Sequence, residues 1–173
     1  DFVVIGIGVR PATGWIEALD LETDGSIKVD DRFLAADDIY AAGDIAKFPY
    51  WYSKREMRIE HWRAAEQQGR IAGANMAGKK TPYESVPFFW TRQAGFSLGY
   101  VGYADKWDEI IVDGDVDSKK FLAYFISGDR ISAVAGVGRS AELGAAHALM
   151  LARRLPEASE IRKGSVSLLD LLR

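Results

Sequence analysis

Gly43 and Asp44 lie at the end of a short apolar run in IYAAGDIA, residues 39–46. A carboxylate therefore follows the one residue type that lets a ligand come close to the backbone. An ionised carboxylate at the end of a buried strand is costly unless it is paired. Two readings meet that cost. The aspartate caps a following helix or supports a turn. Alternatively, it accepts hydrogen bonds from the hydroxyls of a sugar or sugar alcohol, and the segment behind it satisfies phosphate or ring oxygens. A second group begins at Glu60, His61 and Trp62, which open a helical pattern over residues 60–77. Its interior carries Ala64, Ala65, Gly69, Ala72, Gly73 and Ala77, small residues that imply a close neighbour. That neighbour is either a packed element, tolerated at roughly 1 kcal/mol per glycine, or an electron-rich ring facing the partial positive charge of the helix N-terminus. Taken alone, His61 reads as a capping or packing residue ahead of a proton-transfer group.

Composition narrows the chemistry. The 173 residues are 48% hydrophobic and carry a net charge of -3, from 22 Lys and Arg against 25 Asp and Glu. No run of basic residues is long enough to track a phosphate backbone, so nucleic acid is not an expected partner. There is no cysteine, which removes disulfides, thiolate catalysis and thiolate metal sites from these residues. His61 and His147 stand far apart in sequence without a carboxylate cluster, and no metal is expected. No apolar run approaches the roughly 20 residues that cross a bilayer, and no signal-peptide pattern opens the chain. A soluble, cytoplasmic protein of a reducing compartment is the expectation.

The elements that must position these residues fall into two textures. Residues 2–9 form a continuous apolar, β-branched run, interrupted by Gly6 and Gly8, with the pattern of a strand buried on both faces. It begins without a lead-in or cap, and the chain is expected to be a segment of something longer. TGWIEALDLE predicts a brief helix, followed by a turn at Asp24 and Gly25 and short strands at 26–29 and 39–42. Gly78, with Pro82 behind it, ends the helix that starts at residue 60. From Val86 onward, FFWTRQ, FSLGYVGY, DEIIVDGD, KKFLAYFIS and RISAVAGVG are aromatic and β-branched runs separated by turns, as in an antiparallel meander. SAELGAAHALMLARRL predicts a helix covering one face of that sheet, and SVSLLDLLR a second. The fold class expected is α+β, with domains over residues 1–82 and 83–173.

IYAAGDIA, RIEHWRAAEQQGRIAGANMAG and VPFFWTRQAGFSLGYVGYADKWDEIIVDGD, in that order, resemble the C-terminal part of FAD-dependent pyridine nucleotide-disulfide oxidoreductases. The nearest branch is that of ferredoxin reductases, rubredoxin reductases and apoptosis-inducing-factor-like proteins. The resemblance implies the C-terminal segment of an FAD-binding α/β domain, followed by a reductase C-terminal interface domain made of an antiparallel sheet plus helices. It implies that Asp44 holds the FAD ribityl chain, that Gly43 allows close approach, and that Ile45 presents backbone to the cofactor. Glu60, His61 and Trp62 would lie beside the isoalloxazine, with Glu60 reaching the nicotinamide. Trp90 would lie near the flavin ring, and Gly8 would contact the dinucleotide. The implied cofactors are FAD and NAD(P)H, and the implied partner is an electron carrier of ferredoxin or rubredoxin type.

The sequence departs from that pattern in lacking the cysteine pair of the disulfide reductases, in a longer and more aromatic loop from Lys47 to Arg58, and in its dinucleotide fingerprints. Neither Gly-x-Gly-x-x-Gly fingerprint is present, so most of both dinucleotide sites lies outside these residues. The alternative reading of the isolated chain is a non-catalytic dimerisation or carrier-docking module, associating through residues 2–9 as a homodimer among other outcomes. Lys47, Lys54, Arg55 and Arg58 read either as a basic docking surface or as a solvated loop.

Overall fold

Phe33, Phe48 and Tyr83 come from three separate stretches of the first half and meet ring to ring, with centroids 5.1 to 5.7 Å apart. Around this aromatic centre, a computed structural model describes residues 1–164 and 166–173 and divides the chain into two units, Asp1–Glu84 and Ser85–Arg173. Among the described residues, no helix is long and apolar enough to cross a membrane.

The first unit is built on short strands. β1 (Ile27–Lys28) pairs in parallel with β4 (Ala46–Pro49), which pairs antiparallel with β5 (Glu56–Met57). Between β1 and β4 a small hairpin joins β2 (Leu34–Ala36) to β3 (Ile39–Tyr40). Helix α1 (Trp62–Met76) buries Ala64, Gln68, Ala72 and Asn75, a single face at helical spacing. Asn75 fastens the far end. Its amide donates to the Arg32 and Thr81 carbonyls, and its oxygen accepts the Thr81 N–H. Gly78, at φ +87°, turns the chain out of the helix as the sequence predicts.

Several expectations are corrected here. Residues 2–9 form no strand, and their apolar side chains are 63% to 92% exposed. A strand buried on both faces needs a ladder on each edge, and no described strand pairs with this run. TGWIEALDLE forms turns in place of a helix, because its ends are claimed by longer-range bonds. The buried Thr13 hydroxyl donates to the Gly25 carbonyl at 2.5 Å, and Leu21 bridges to Ile27. Glu60 and His61 precede α1, with His61 at its N-cap, so of the three residues only Trp62 lies within the helix.

The second unit is a five-stranded antiparallel sheet of β6 (Phe88–Gln93), β7 (Phe96–Gly102), β8 (Glu109–Asp115), β9 (Lys120–Ser127) and β10 (Arg130–Val137). Their order is β6-β7-β10-β9-β8, so a hairpin is zipped onto a three-stranded meander. A plain meander would have put β7 beside β8. Helix α2 (Ser140–Leu151) covers one face as expected, and a short α3 (Ala158–Arg162) follows. Of SVSLLDLLR, Ser165 lies outside the described residues, and only a single 3-10 turn forms, at Asp170–Leu172.

Helix α2 packs where β7 and β10 pair. Gly99 of β7 and Gly136 of β10 sit directly opposite one another. A Cβ on either would come within 3.0 Å of Leu143 of α2, and one on Gly136 within 2.7 Å of Leu122. The paired glycines make the hollow that receives Leu143. Gly136→Ala is therefore expected to destabilise this unit by about 1–3 kcal/mol through overpacking, measured by denaturant unfolding, whereas Gly144→Ala, with open space at that position, is expected to be neutral or mildly stabilising. The same sheet buries Tyr124, and burial, reinforced by Asp113, pushes its phenol up to about 12. An unfolded tyrosine ionises near about 10. The unfolded chain therefore loses its proton first, and stability falls as pH climbs from about 10 towards about 12. Tyr124→Phe should flatten that part of a melting-temperature profile against pH.

Candidate functional site

The AAGD turn is placed by its neighbours before and after. Ala41, just past β3, donates its N–H to Phe33, and Ala46 of β4 closes the turn by donating to the Gly43 carbonyl. Between them Gly43 takes φ +82°, a conformation that side chains disfavour, and the residues Gly43–Ile45 make one turn of 3-10 helix. The Gly43 N–H is buried and donates to Oε1 of Gln68 at 2.8 Å. Ala65 of α1 lies against the glycine, 3.4 Å from where a Cβ would stand. Ile45 is half-buried and leads directly into β4.

Asp44 itself is exposed. The cost raised by a carboxylate at a strand end is therefore avoided, because the turn rotates it out of the core. Among the described residues no group pairs with its carboxylate, while its carbonyl accepts from Nη1 of Arg58 at 2.9 Å. Arg58 is largely buried and reaches three segments at once. Besides Asp44 it pairs with Glu60 at 2.8 Å and with Asp24 at 3.4 Å. The Ser26 hydroxyl and N–H both donate to the Asp24 carboxylate and hold its pKa below the usual carboxylate value, with Arg58 adding to the effect. Gly43, Asp44 and Glu60 are thus brought together by hydrogen bonds.

The other predicted residues are placed differently. His61 makes no side-chain cap hydrogen bond and lies 5.9 Å, ring to ring, from Trp62, which is 63% exposed. Gly8 lies in the exposed segment 2–9 at φ +89°, with nothing within 4 Å of its Cβ position. Trp90 belongs to the second unit, on β6, 45% exposed and 5.8 Å from the Phe88 ring. Of the small stripe on α1, Ala64 and Ala72 are buried, whereas Gly69 and Gly73 face open space.

Two residues that hold the turn are not singled out by the sequence reading. Gln68 carries a signal that could have found it: a glutamine midway between Ala64 and Ala72, on the line that the helix buries. Arg58 is read there only as part of a basic cluster. In the structure Lys47 of that cluster bonds Glu22 and lies 3.9 Å from Glu56, and Arg58 is engaged as above, so both of these cations are neutralised. The Glu22 hydrogen bond raises the pKa of Lys47.

Both units resemble known proteins. Residues 1–69 match the pyridine nucleotide-disulphide oxidoreductase family model, and residues 88–172 match the reductase C-terminal model. Human apoptosis-inducing factor 3 is 38% identical over 141 residues, covering 79% of this chain and 23% of that protein. The ferredoxin–NAD(+) reductase component of the anthranilate 1,2-dioxygenase system of Burkholderia cepacia is 33% identical over 174 residues, covering 99% of this chain and 43% of that one. Among solved structures, the ferredoxin reductase for the CYP199A2 system from Rhodopseudomonas palustris superposes with a TM-score of 0.85 at 28% identity, covering 99% and 42%. The chain spans less than half the length of each of these three proteins.

Arg58→Met is expected to cost about 1–2 kcal/mol, since Asp24 and Glu60 lose a shared partner and the Asp44 carbonyl its donor. Arg58→Lys should not restore it, because a single ammonium on a flexible stem does not reproduce the planar fork. Denaturant unfolding of the three proteins checks both statements.

Proposed function

Because the chain belongs to the pyridine nucleotide-disulphide oxidoreductase and reductase C-terminal families over residues 1–69 and 88–172, we propose that it is the later part of an FAD-dependent oxidoreductase that passes electrons from NAD(P)H to a ferredoxin- or rubredoxin-type carrier. The observation that carries this reading is the exposed Asp44 carboxylate, unpaired among the described residues, on a turn whose backbone is held on both sides of the Asp44 Cα. The names of the relatives support the carrier, since two of the three proteins compared are ferredoxin reductases.

The residues present fit the cofactor. Asp44 offers two acceptor oxygens to the hydroxyls of a ribityl chain, and Gly43 keeps the backbone beside it free of a side chain. Ile45 would add backbone contact. The N-terminus of α1 begins at Trp62 with no acidic residue in its first turn, so its partial positive charge is left to stabilise negative charge on a nearby ring. Bound FAD would accept a hydride and release electrons singly. The part of Glu60 in that exchange is positional: Arg58 restrains its carboxylate on the approach assigned to the nicotinamide. His61 and Trp62 flank the same approach, Trp90 is the aromatic residue assigned to the flavin ring, and Gly8 is assigned to the loop that contacts the dinucleotide. With no cysteine in these residues, there is no thiol relay in this part of the protein, in keeping with electron release to a carrier.

We assign residues 1–82 to the end of the cofactor domain, residues 83–173 to the reductase C-terminal domain, and the reaction to the cytoplasm. For the isolated chain, the exposed apolar segment 2–9 favours a second description, an interface module that associates through that segment.

The test is a visible absorption spectrum of the purified protein after FAD addition and desalting. Retained flavin bands are expected, and Asp44→Ala should weaken FAD binding by about ten- to a hundredfold, the range for hydrogen bonds to a charged acceptor. A colourless full-length protein, with no NAD(P)H-dependent reduction of a carrier, overturns the proposal.

A further inference from the structure

Gln68 occupies a place where a purely structural helix would carry an apolar residue. It lies one turn from Ala64 and one turn from Ala72 on the buried face of α1 and is 0% exposed. Its Oε1 accepts the Gly43 N–H, which settles the direction of the amide: oxygen towards the turn, nitrogen away from it. Nε2 is buried and has no partner among the described residues. A leucine or methionine here would avoid that desolvated donor and add apolar burial. What neither could supply is an acceptor for Gly43.

We infer that Gln68 is a positioning residue for Asp44: it pins the Gly43 N–H and, with Arg58 on the Asp44 carbonyl, fixes the backbone on both sides of the Asp44 Cα, so that the carboxylate points out of the fold. The two bonds come from separate segments, one from the buried face of α1 and one from the residue two places before Glu60. Gly43 contributes its φ of +82°, which a hydrogen bond must hold because glycine reaches other conformations as readily. The consequence for FAD rests on the flavin reading above, whereas the clamp itself does not.

The test is made on the intact flavoprotein that contains this chain, by residue-resolved hydrogen exchange at the Gly43 amide and by FAD titration of the apoprotein. In the wild type the Gly43 amide should exchange at least about tenfold more slowly than a solvated amide. Gln68→Met, similar in volume but only a weak acceptor, should abolish that protection and raise the Kd for FAD by about ten- to a hundredfold. Gln68→Glu presents an acceptor oxygen in either protonation state and should keep both the protection and most of the affinity. Rapid exchange of Gly43 in the wild type overturns the inference. So does a Gln68→Met protein unchanged in both readouts, or a Gln68→Glu protein that behaves like it. Should Gln68→Met fail to fold, wild-type exchange and Gln68→Glu decide. If the wild type binds no FAD, the flavin reading falls, and exchange at Gly43 still decides whether Gln68 pins the turn.

Discussion

The first unit turns on the conformation of one peptide, the glycine at φ +82° that swings the chain from β3 into β4 and leaves Asp44 outside. A backbone N–H beneath a helix cannot be left unsatisfied without a penalty comparable to a lost hydrogen bond. Ordinary strand pairing would satisfy it, but the strands here are two to four residues long and offer no ladder at that point. The acceptor is a side chain instead, from a helix that begins 19 residues later. That solution ties the placement of α1 to the placement of the turn. Ala65 and Gly43 must be small for the two to approach, and Asn75 must fasten the other end of the helix to the Arg32 and Thr81 backbone.

Charge is arranged around the turn so that one carboxylate stays unneutralised. Asp24 and Glu60 share Arg58, Glu22 and Glu56 share Lys47, and Lys28 pairs with Glu56 at 2.6 Å. Pairs this close to solvent each contribute little to stability. Their effect on the site is subtractive: they compensate the acids around the turn, and Asp44 is left as the acceptor facing solvent. Among the described residues no cation pairs with the Asp44 carboxylate, so its oxygens stay open as acceptors.

How much of this was legible in the sequence depends on where the governing contacts lie along the chain. Gly78 ending α1, the turn at Asp24 and Gly25, and the aromatic runs that became β6 to β10 depend on neighbours a few residues away. TGWIEALDLE has local helical periodicity, yet Thr13 and Leu21 bond to residues 6 to 12 positions on, and those bonds prevail. Residues 2–9 read as a strand because apolar β-branched residues fit a buried ladder, a preference that takes effect only where strands exist to pair with them. The strand order of the second unit was hidden because β7 pairs with β10, Gly99 opposite Gly136 and 37 positions apart, in place of its neighbour in sequence. For the site, Gly43 and Asp44 were visible as a dipeptide at the end of an apolar run. Gln68 and Arg58 act over 25 and 14 positions, and neither has a local pattern that names its partner.

The second unit extends the same logic to Trp90. In register Trp90 stands opposite Gly99, so it shares the face of the sheet onto which Leu143 and α2 pack. The Phe88 ring lies between helix and tryptophan, 6.4 Å from His147 of α2 on one side and 5.8 Å from Trp90 on the other. The His147 Nε2 is 3.3 Å from the carbonyl of Val86, a buried residue just ahead of β6. A half-exposed tryptophan on an edge strand would ordinarily sample several rotamers. Here the Phe88 ring stands beside it, next to His147 of a helix whose Leu143 is seated in the two-glycine hollow. His147, weighed in the sequence only as a candidate metal ligand, thereby acquires a structural role beside Phe88 and the Val86 carbonyl.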